Sequence, residues 1–143
     1  MKSFNIGIIG FGTVGTGVYK VLEDFPQIKI KKIAVKNIKK KRCIENFDER
    51  LLTDDPYLIV NDPEIDIVVE TAGGVNPVLD ILKTAVKNKK HIVTANKELL
   101  AKKGAELFQL AKEMHSNQLK YVANQVKKGQ SGFIVMPKSS VYK

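Results

Sequence analysis

One cysteine, two histidines, two arginines and no tryptophan are all that this 143-residue chain holds of four residue types that often carry chemistry. Cys43 has no partner for an internal disulfide. With no CxxC and no paired Cys/His spacing, a zinc module or other metal site is excluded, and the lone thiol suits a reducing cytoplasm. His91 and His115 lie far apart in the chain. The scarcity of arginine also weakens the nucleic-acid reading that a net charge of +9 invites, because only Arg42 and Arg50 among the 24 basic residues are arginine. Base readout and bidentate phosphate clamping favour Arg, whereas a lysine-rich surface arises without any polyanion partner. A long apolar helix is missing too. Residues 3–19 carry no charge, but Gly7, Gly10, Gly12, Gly15 and Gly17 would make a poor membrane span or signal segment, and no small-residue cleavage site follows, so no membrane role is expected. The last absence is local: no Asp or Glu occurs from Phe25 through Ile44.

What is present suffices for one compact domain. Hydrophobic residues make up 43% of the chain, and a domain of this length typically buries about 70% of the surface its unfolded chain would expose. Phe4–Ile9 is short, apolar and rich in isoleucine, which predicts a strand. It ends at Gly10 and is followed by Val14, Val18, Val21 and Leu22 at helical spacing. Pro26 closes that helix region, and Ile28, Ile30, Ile33 and Val35 with interleaved lysines predict a second strand, completing a βαβ unit. Residues 36–50 are polar and mostly basic, a loop with at most a helical turn. Asp54 and Asp55 before Pro56 start a short helix over Tyr57–Val60, and Asp62-Pro63 breaks the chain before a buried strand at 65–70. Gly73-Gly74 forces a turn.

Asn76 as cap and Pro77 at the first helical position predict a helix burying Val78, Leu79, Ile81, Leu82, Ala85 and Val86. A strand follows at His91–Thr94. Asn96 then caps a helix expected to break at Gly104 and resume through Leu107, Phe108, Leu110, Ala111 and Met114, with a further strand at 118–122. Residues 123–143 show no clean periodicity beyond 132–136. Strands alternating with helices at this spacing predict an α/β fold of the Rossmann type, a doubly wound parallel sheet with right-handed crossovers and helices on both faces.

The chemistry concentrates at strand ends. Gly10-Phe11-Gly12-Thr13-Val14-Gly15 matches GxGxxG after a strand and at the start of a helix. The first glycine makes the tight turn, the second admits a pyrophosphate, and the third allows close helix packing, with phosphate charge facing the helix N-terminus. A glycine turn without a ligand is the plainer alternative. An acid about 20 residues on would accept the ribose 2′-hydroxyl of NAD, yet the second strand runs into Lys36, Lys39, Lys40, Lys41 and Arg42. These cations suit a 2′-phosphate, so the residues favour NADP(H) ahead of NAD(H), with Lys36 and Arg42 as the expected contacts. A merely solvated basic loop explains the same charges. Ligands of open α/β sheets sit beyond the carboxyl ends of the strands, which adds Thr71, Ala72, Gly73 and Gly74 after one strand and Thr94, Asn96 and Lys97 after another. Lys97 falls in the first turn of a helix, where a cation opposes the macrodipole, although Glu98 beside it offsets the charge.

The segments GIIGFGTVGTGV (7–18), VVETAGG (68–74) and HIVTANKELLAKKGAELF (91–108) closely resemble the coenzyme domain of homoserine dehydrogenase over residues 4 to 122, most specifically at Thr94-Ala95-Asn96-Lys97. The resemblance implies reduction of aspartate 4-semialdehyde to homoserine by hydride transfer from NADPH or NADH, on the route to threonine and methionine. It also implies coenzyme contacts at Thr13 and Val14 and, as the candidate catalytic residue, a Lys97 near the nicotinamide in substrate binding or proton relay. Where that family continues with a Glu-Ala motif and a Gly-Gly-x-Pro segment opening a substrate and dimerisation domain, this chain reads Tyr121-Val122-Ala123-Asn124-Gln125-Val126-Lys127. The expectation is therefore a truncated member, 1–122 forming the dinucleotide-binding domain and 123–143 an unassigned tail. Such a chain binds coenzyme without turnover and self-associates through surfaces the absent domain would cover. A stand-alone dinucleotide-sensing module and a basic nucleic-acid-binding remnant are the two alternatives.

Overall fold

The computed structural model of the chain describes residues 3–114 and 134–136. Its elements are β1 (Phe4–Ile9), α1 (Thr13–Leu22), β2 (Ile28–Ala34), β3 (Leu52–Thr53), α2 (Tyr57–Val60), β4 (Ile67–Glu70), α3 (Val78–Lys87), β5 (His91–Thr94), α4 (Lys97–Met114) and β6 (Ile134–Met136), with a 3-10 turn at Glu49–Leu51. The strands form one sheet in the order β3-β2-β1-β4-β5-β6. The first five run parallel and β6 is antiparallel to β5. The chain grows from β1 to β2 and β3, then crosses back to lay β4 on the other side of β1. Strand order therefore reverses between β1 and β4, the switch point at which open α/β sheets bind ligands.

Period-two alternation assigns each side chain to one of two cores. Ile6 and Ile8 of β1, Ile33 of β2 and Val69 of β4 pack with Tyr19 of α1. Ile9, Ala34, Val68 and Ile92 point the other way, into the buried stripes of α2, α3 and α4. Helices thus cover both faces, as the alternation of elements predicts. Gly7 lies on the second face, where a side chain would collide with Ile59 of α2, so its lack of a Cβ lets that helix seat on the sheet.

Several local expectations are corrected. In β2 the apolar positions change parity, from Ile28 and Ile30 to Ile33 and Val35. The register shows why: Ile6 pairs with Ile30 but Gly7 with Lys32, leaving Lys31 as a bulge that returns all four residues to the same core. The apolar stripe of α1 runs through Gly15, Val18, Tyr19 and Leu22, while Val14 and Val21 are exposed. The inner face is set by Gly15, which counts as apolar surface only once its packing is known. Asn76 does not cap α3; Pro77 holds that position without a side-chain cap, and the Val75 carbonyl accepts from Leu79 N at 2.8 Å. The buried strand begins at Ile67, and the two-residue β3 just after the basic loop is an element no expectation covered.

The largest correction concerns α4, which runs unbroken through Gly104. A glycine in a helix interior costs about 1 kcal/mol relative to alanine. Burial of Leu99, Leu100, Leu107, Phe108 and Ala111 on both sides of it outweighs that cost. The expected strand at 118–122 and most of 123–143 lie outside the described residues. Among the described residues, no helix is long and apolar enough to cross a membrane.

Candidate coenzyme site

Three loops meet at the carboxyl ends of β1, β4 and β5. The first is the glycine turn. Gly10 has φ +93°, a left-handed conformation that L side chains rarely adopt, and a Cβ there would sit 2.6 Å from Ala72 N. A Cβ at Gly15 would run into the Gly10 carbonyl and lie 2.8 Å from Thr71 Oγ1. Around Gly12, by contrast, a Cβ would meet nothing within 4 Å. The three glycines of the motif thus divide as their spacing predicts: two are required by the protein's own packing and the third borders open space. Gly12 caps α1 without a side-chain hydrogen bond, and no acidic residue occupies the first turn. The helix therefore presents backbone N–H donors and the positive end of its dipole to the cleft, a fit for phosphate oxygens.

Thr71 serves this turn. Its Oγ1 donates to the Gly10 carbonyl at 2.8 Å and its backbone N–H to the Ile9 carbonyl at 2.7 Å, tying the end of β4 to the end of β1. The Phe11 ring stacks on Phe47 at 5.4 Å and meets Tyr19 edge-on at 5.7 Å. This trio fastens the segment after the basic loop against α1. Burial, and after it the Glu23 carboxylate, push the Tyr19 hydroxyl up to about 12.

A cavity of about 480 Å³ opens beside the turn, lined by Phe11, Gly12, Thr13, Thr16 and Gly17 together with Lys20, Lys40 and Arg42. That volume is in the range of small-molecule sites. Arg42 therefore lies beside the glycine turn, whereas Lys36 is exposed at the end of β2 and does not line the cavity. The Arg42 guanidinium donates to the carbonyls of Asn37 at 3.0 Å and Lys40 at 2.7 Å, and so braces the basic loop. Lys20 was missed as a candidate, and Lys40 was named only among the cations of the basic loop, not as an expected contact. Lys20 lies one turn beyond Thr16 on the same helix face, a spacing legible in the sequence.

The third loop joins β5 to α4. Asn96 caps α4, its Oδ1 accepting from Leu99 N at 3.0 Å, while its Nδ2 donates to the Gly74 carbonyl at 2.6 Å. Thr94 Oγ1 accepts from Asn96 N at 3.0 Å and donates to Glu70 Oε1 at 2.6 Å. Glu70 Oε2 accepts from Gly73 N at 3.0 Å, and the Glu70 side chain is fully buried. Lys97 is exposed at the first position of α4, and the neighbouring Glu98 is paired with Lys102 at 2.9 Å rather than with Lys97. Gly73 and Gly74, with φ of +77° and +78°, leave open space above the end of β4.

Comparison with known proteins agrees with this geometry. Residues 10–119 match the family described as homoserine dehydrogenase, NAD-binding domain. Homoserine dehydrogenase of Bacillus subtilis is 40% identical over 122 residues, covering 79% of this chain and 28% of its own length. The crystal structure of S. aureus homoserine dehydrogenase at pH 7.0 superposes with a TM-score of 0.72 at 46% identity, over 79% of this chain and 31% of that one. The Thiobacillus denitrificans homoserine dehydrogenase structure gives 0.67 at 39% identity, over 79% of this chain and 28% of that one. The chain thus spans under a third of the relatives it matches, and the part it spans is their nucleotide-binding region; it belongs to the homoserine dehydrogenase family, as an NAD-binding domain.

Proposed function

We propose that the chain is an NADP(H)-preferring coenzyme domain of a homoserine dehydrogenase, accepting NAD(H) more weakly. The uncapped N-terminus of α1 behind the open space at Gly12 carries the reading, because it offers phosphate a set of donors that no side chain uses. The pyrophosphate lies against Gly12, Thr13 and Val14. The adenosine 2′-phosphate lies toward the basic loop, where Arg42 and the neighbouring Lys40 face the cavity, with Lys36 exposed outside it at the end of β2 as a further contact. The nicotinamide half extends over the ends of β4 and β5, past Ala72 and Gly73 toward Lys97, while Thr94 and Asn96, both buried, hold the loops on which it rests.

When bound, the coenzyme supplies the hydride for interconversion of aspartate 4-semialdehyde and homoserine, a step toward threonine and methionine. This chain's residues bind and orient it. Lys97 is the residue assigned to a substrate oxygen, a reading supported by its exposure at the start of α4 and by the pairing of Glu98 with Lys102. Holding the aldehyde at near-attack distance accounts for roughly 7–11 kcal/mol of catalysis and needs residues outside the coenzyme domain. These residues by themselves therefore bind coenzyme without turnover, and the reading places the protein in the cytoplasm.

Calorimetric titration with NADPH and then NADH tests the preference. NADPH binds more tightly, and Lys36→Ala narrows the gap by about tenfold, the worth of one charge-assisted contact. Equal affinity for the two coenzymes, unchanged in Lys36→Ala, would refute the assignment of the basic loop. Arg42→Ala is a harsher test, since it also removes the brace on the carbonyls of Asn37 and Lys40.

A further inference from the structure

The fully buried Glu70 has no place in the coenzyme contacts described above, yet both of its carboxyl oxygens are engaged, and with two different loops. Oε2 accepts from Gly73 N in the loop after β4, and Oε1 accepts from the Thr94 hydroxyl at the end of β5. Thr94 in turn accepts from Asn96 N, and Asn96 reaches back to the Gly74 carbonyl while capping α4. The result is a closed circuit running from Glu70 through Thr94 and Asn96 to Gly74 and back along the chain to Gly73. It fixes the distance between the glycine pair and the start of the helix that carries Lys97.

We infer that Glu70 is a positioning residue that sets the width of the cleft over β4 and β5, and with it the affinity for the nicotinamide half of the coenzyme. The inference rests on the coenzyme reading for its ligand, but the circuit itself does not. Its chemical requirement is specific, because both oxygens act as acceptors. An amide at this position would turn an N–H group against either the Gly73 N–H or the Thr94 hydroxyl hydrogen, leaving one buried donor without a partner. Glu70→Gln preserves size and breaks the circuit. Thr94→Val breaks it from the other side with a residue that suits a strand, and Thr94→Ser keeps the hydroxyl.

The test compares two probes on the 143-residue chain. NADPH spans the whole cleft, whereas adenosine 2′,5′-bisphosphate reaches only the glycine turn and the basic loop. Glu70→Gln and Thr94→Val each weaken NADPH about tenfold and leave the bisphosphate unchanged. Thr94→Ser binds both like the wild type, and the double variant Glu70→Gln/Thr94→Val is no worse than either single one, as expected for members of one circuit. Hydrogen exchange in the free protein speeds up at the Gly73 and Asn96 amides in both circuit-breaking variants. Equal weakening of both probes would show a purely structural role and overturn the inference, as would unchanged NADPH affinity. If Glu70→Gln does not fold, Thr94→Val against Thr94→Ser decides by the same readings. A wild-type chain that binds neither probe would refute the coenzyme reading and the affinity role together, and amide exchange would then decide whether Glu70 makes the tie.

Discussion

A methyl group added at Gly15 would run into the Gly10 carbonyl, while the same group at Gly12 would enter open space. Two residues of one type, three positions apart, thus differ: one answers to the packing of α1 on the turn, and the other borders open space. Gly15→Ala is expected to lower stability by about 2 kcal/mol, a typical overpacking loss, and to lower Tm by roughly 5–10 °C. Gly12→Ala costs only about 1 kcal/mol as a poorer helix cap yet weakens NADPH about tenfold or more by keeping phosphate from the helix N-terminus. Thermal melts paired with coenzyme titration check both; a Gly12→Ala chain with undiminished affinity would show that nothing approaches that glycine. Much at this scale was legible, since the tight turn at Gly10 and the close packing at Gly15 follow from strand, turn and helix alone. Glu70 and Phe11 were not. A buried carboxyl that accepts from two loops leaves no trace in spacing, and the Phe11 ring, sitting inside a phosphate-binding motif, turned out to anchor Phe47 and Tyr19.

Among the elements, β2 and α4 show what patterns convey and what they hide. The isoleucines of β2 announced a strand, but the bulge that breaks their alternation became readable only with the pairing of β1. Lys31, displaced by that bulge, pairs with Asp62 at 2.7 Å and with Glu64. These partners, Asp62 first, raise the Lys31 ammonium above its usual range, and Lys31 in turn holds the Asp62 carboxyl below its own. In α4 the glycine at 104 misled, because helix propensity is a weak prior when both flanking turns are buried. A Cβ there would lie 3.6 Å from Phe108 and 3.7 Å from Leu100, ordinary contact distances. Gly104→Ala is therefore expected to stabilise the chain by about 0.5–1 kcal/mol, read as a higher urea midpoint at unchanged slope. A lower midpoint would mean that α4 is packed too tightly at this point to take a methyl group.

Across the whole molecule, the order of strands does more than any single residue to place the site. Reversal between β1 and β4 brings Gly10 to Gly15 beside Thr71 to Gly74, and the step to β5 adds Thr94 to Lys97, segments 20 or more positions apart in sequence. The alternation of strand and helix made that architecture readable, because each βαβ crossover has one favoured hand. It did not extend to β6, which falls in 132–136, the one periodic stretch of the tail, and runs antiparallel to β5. Nor did it indicate that Arg42, and not Lys36, would line the cavity, since the course of residues 36–47 is set by carbonyl bonds to the Arg42 guanidinium and by the aromatic trio. The central claim is that coenzyme occupies the cleft at the switch point. Nuclear magnetic resonance mapping of amide shifts on the ¹⁵N-labelled chain during NADPH titration tests it most directly. The account predicts saturable shifts concentrated at residues 10–15, 71–74 and 94–97; shifts scattered over the lysine-rich surface and abolished by moderate salt, or none at these loops, would contradict it.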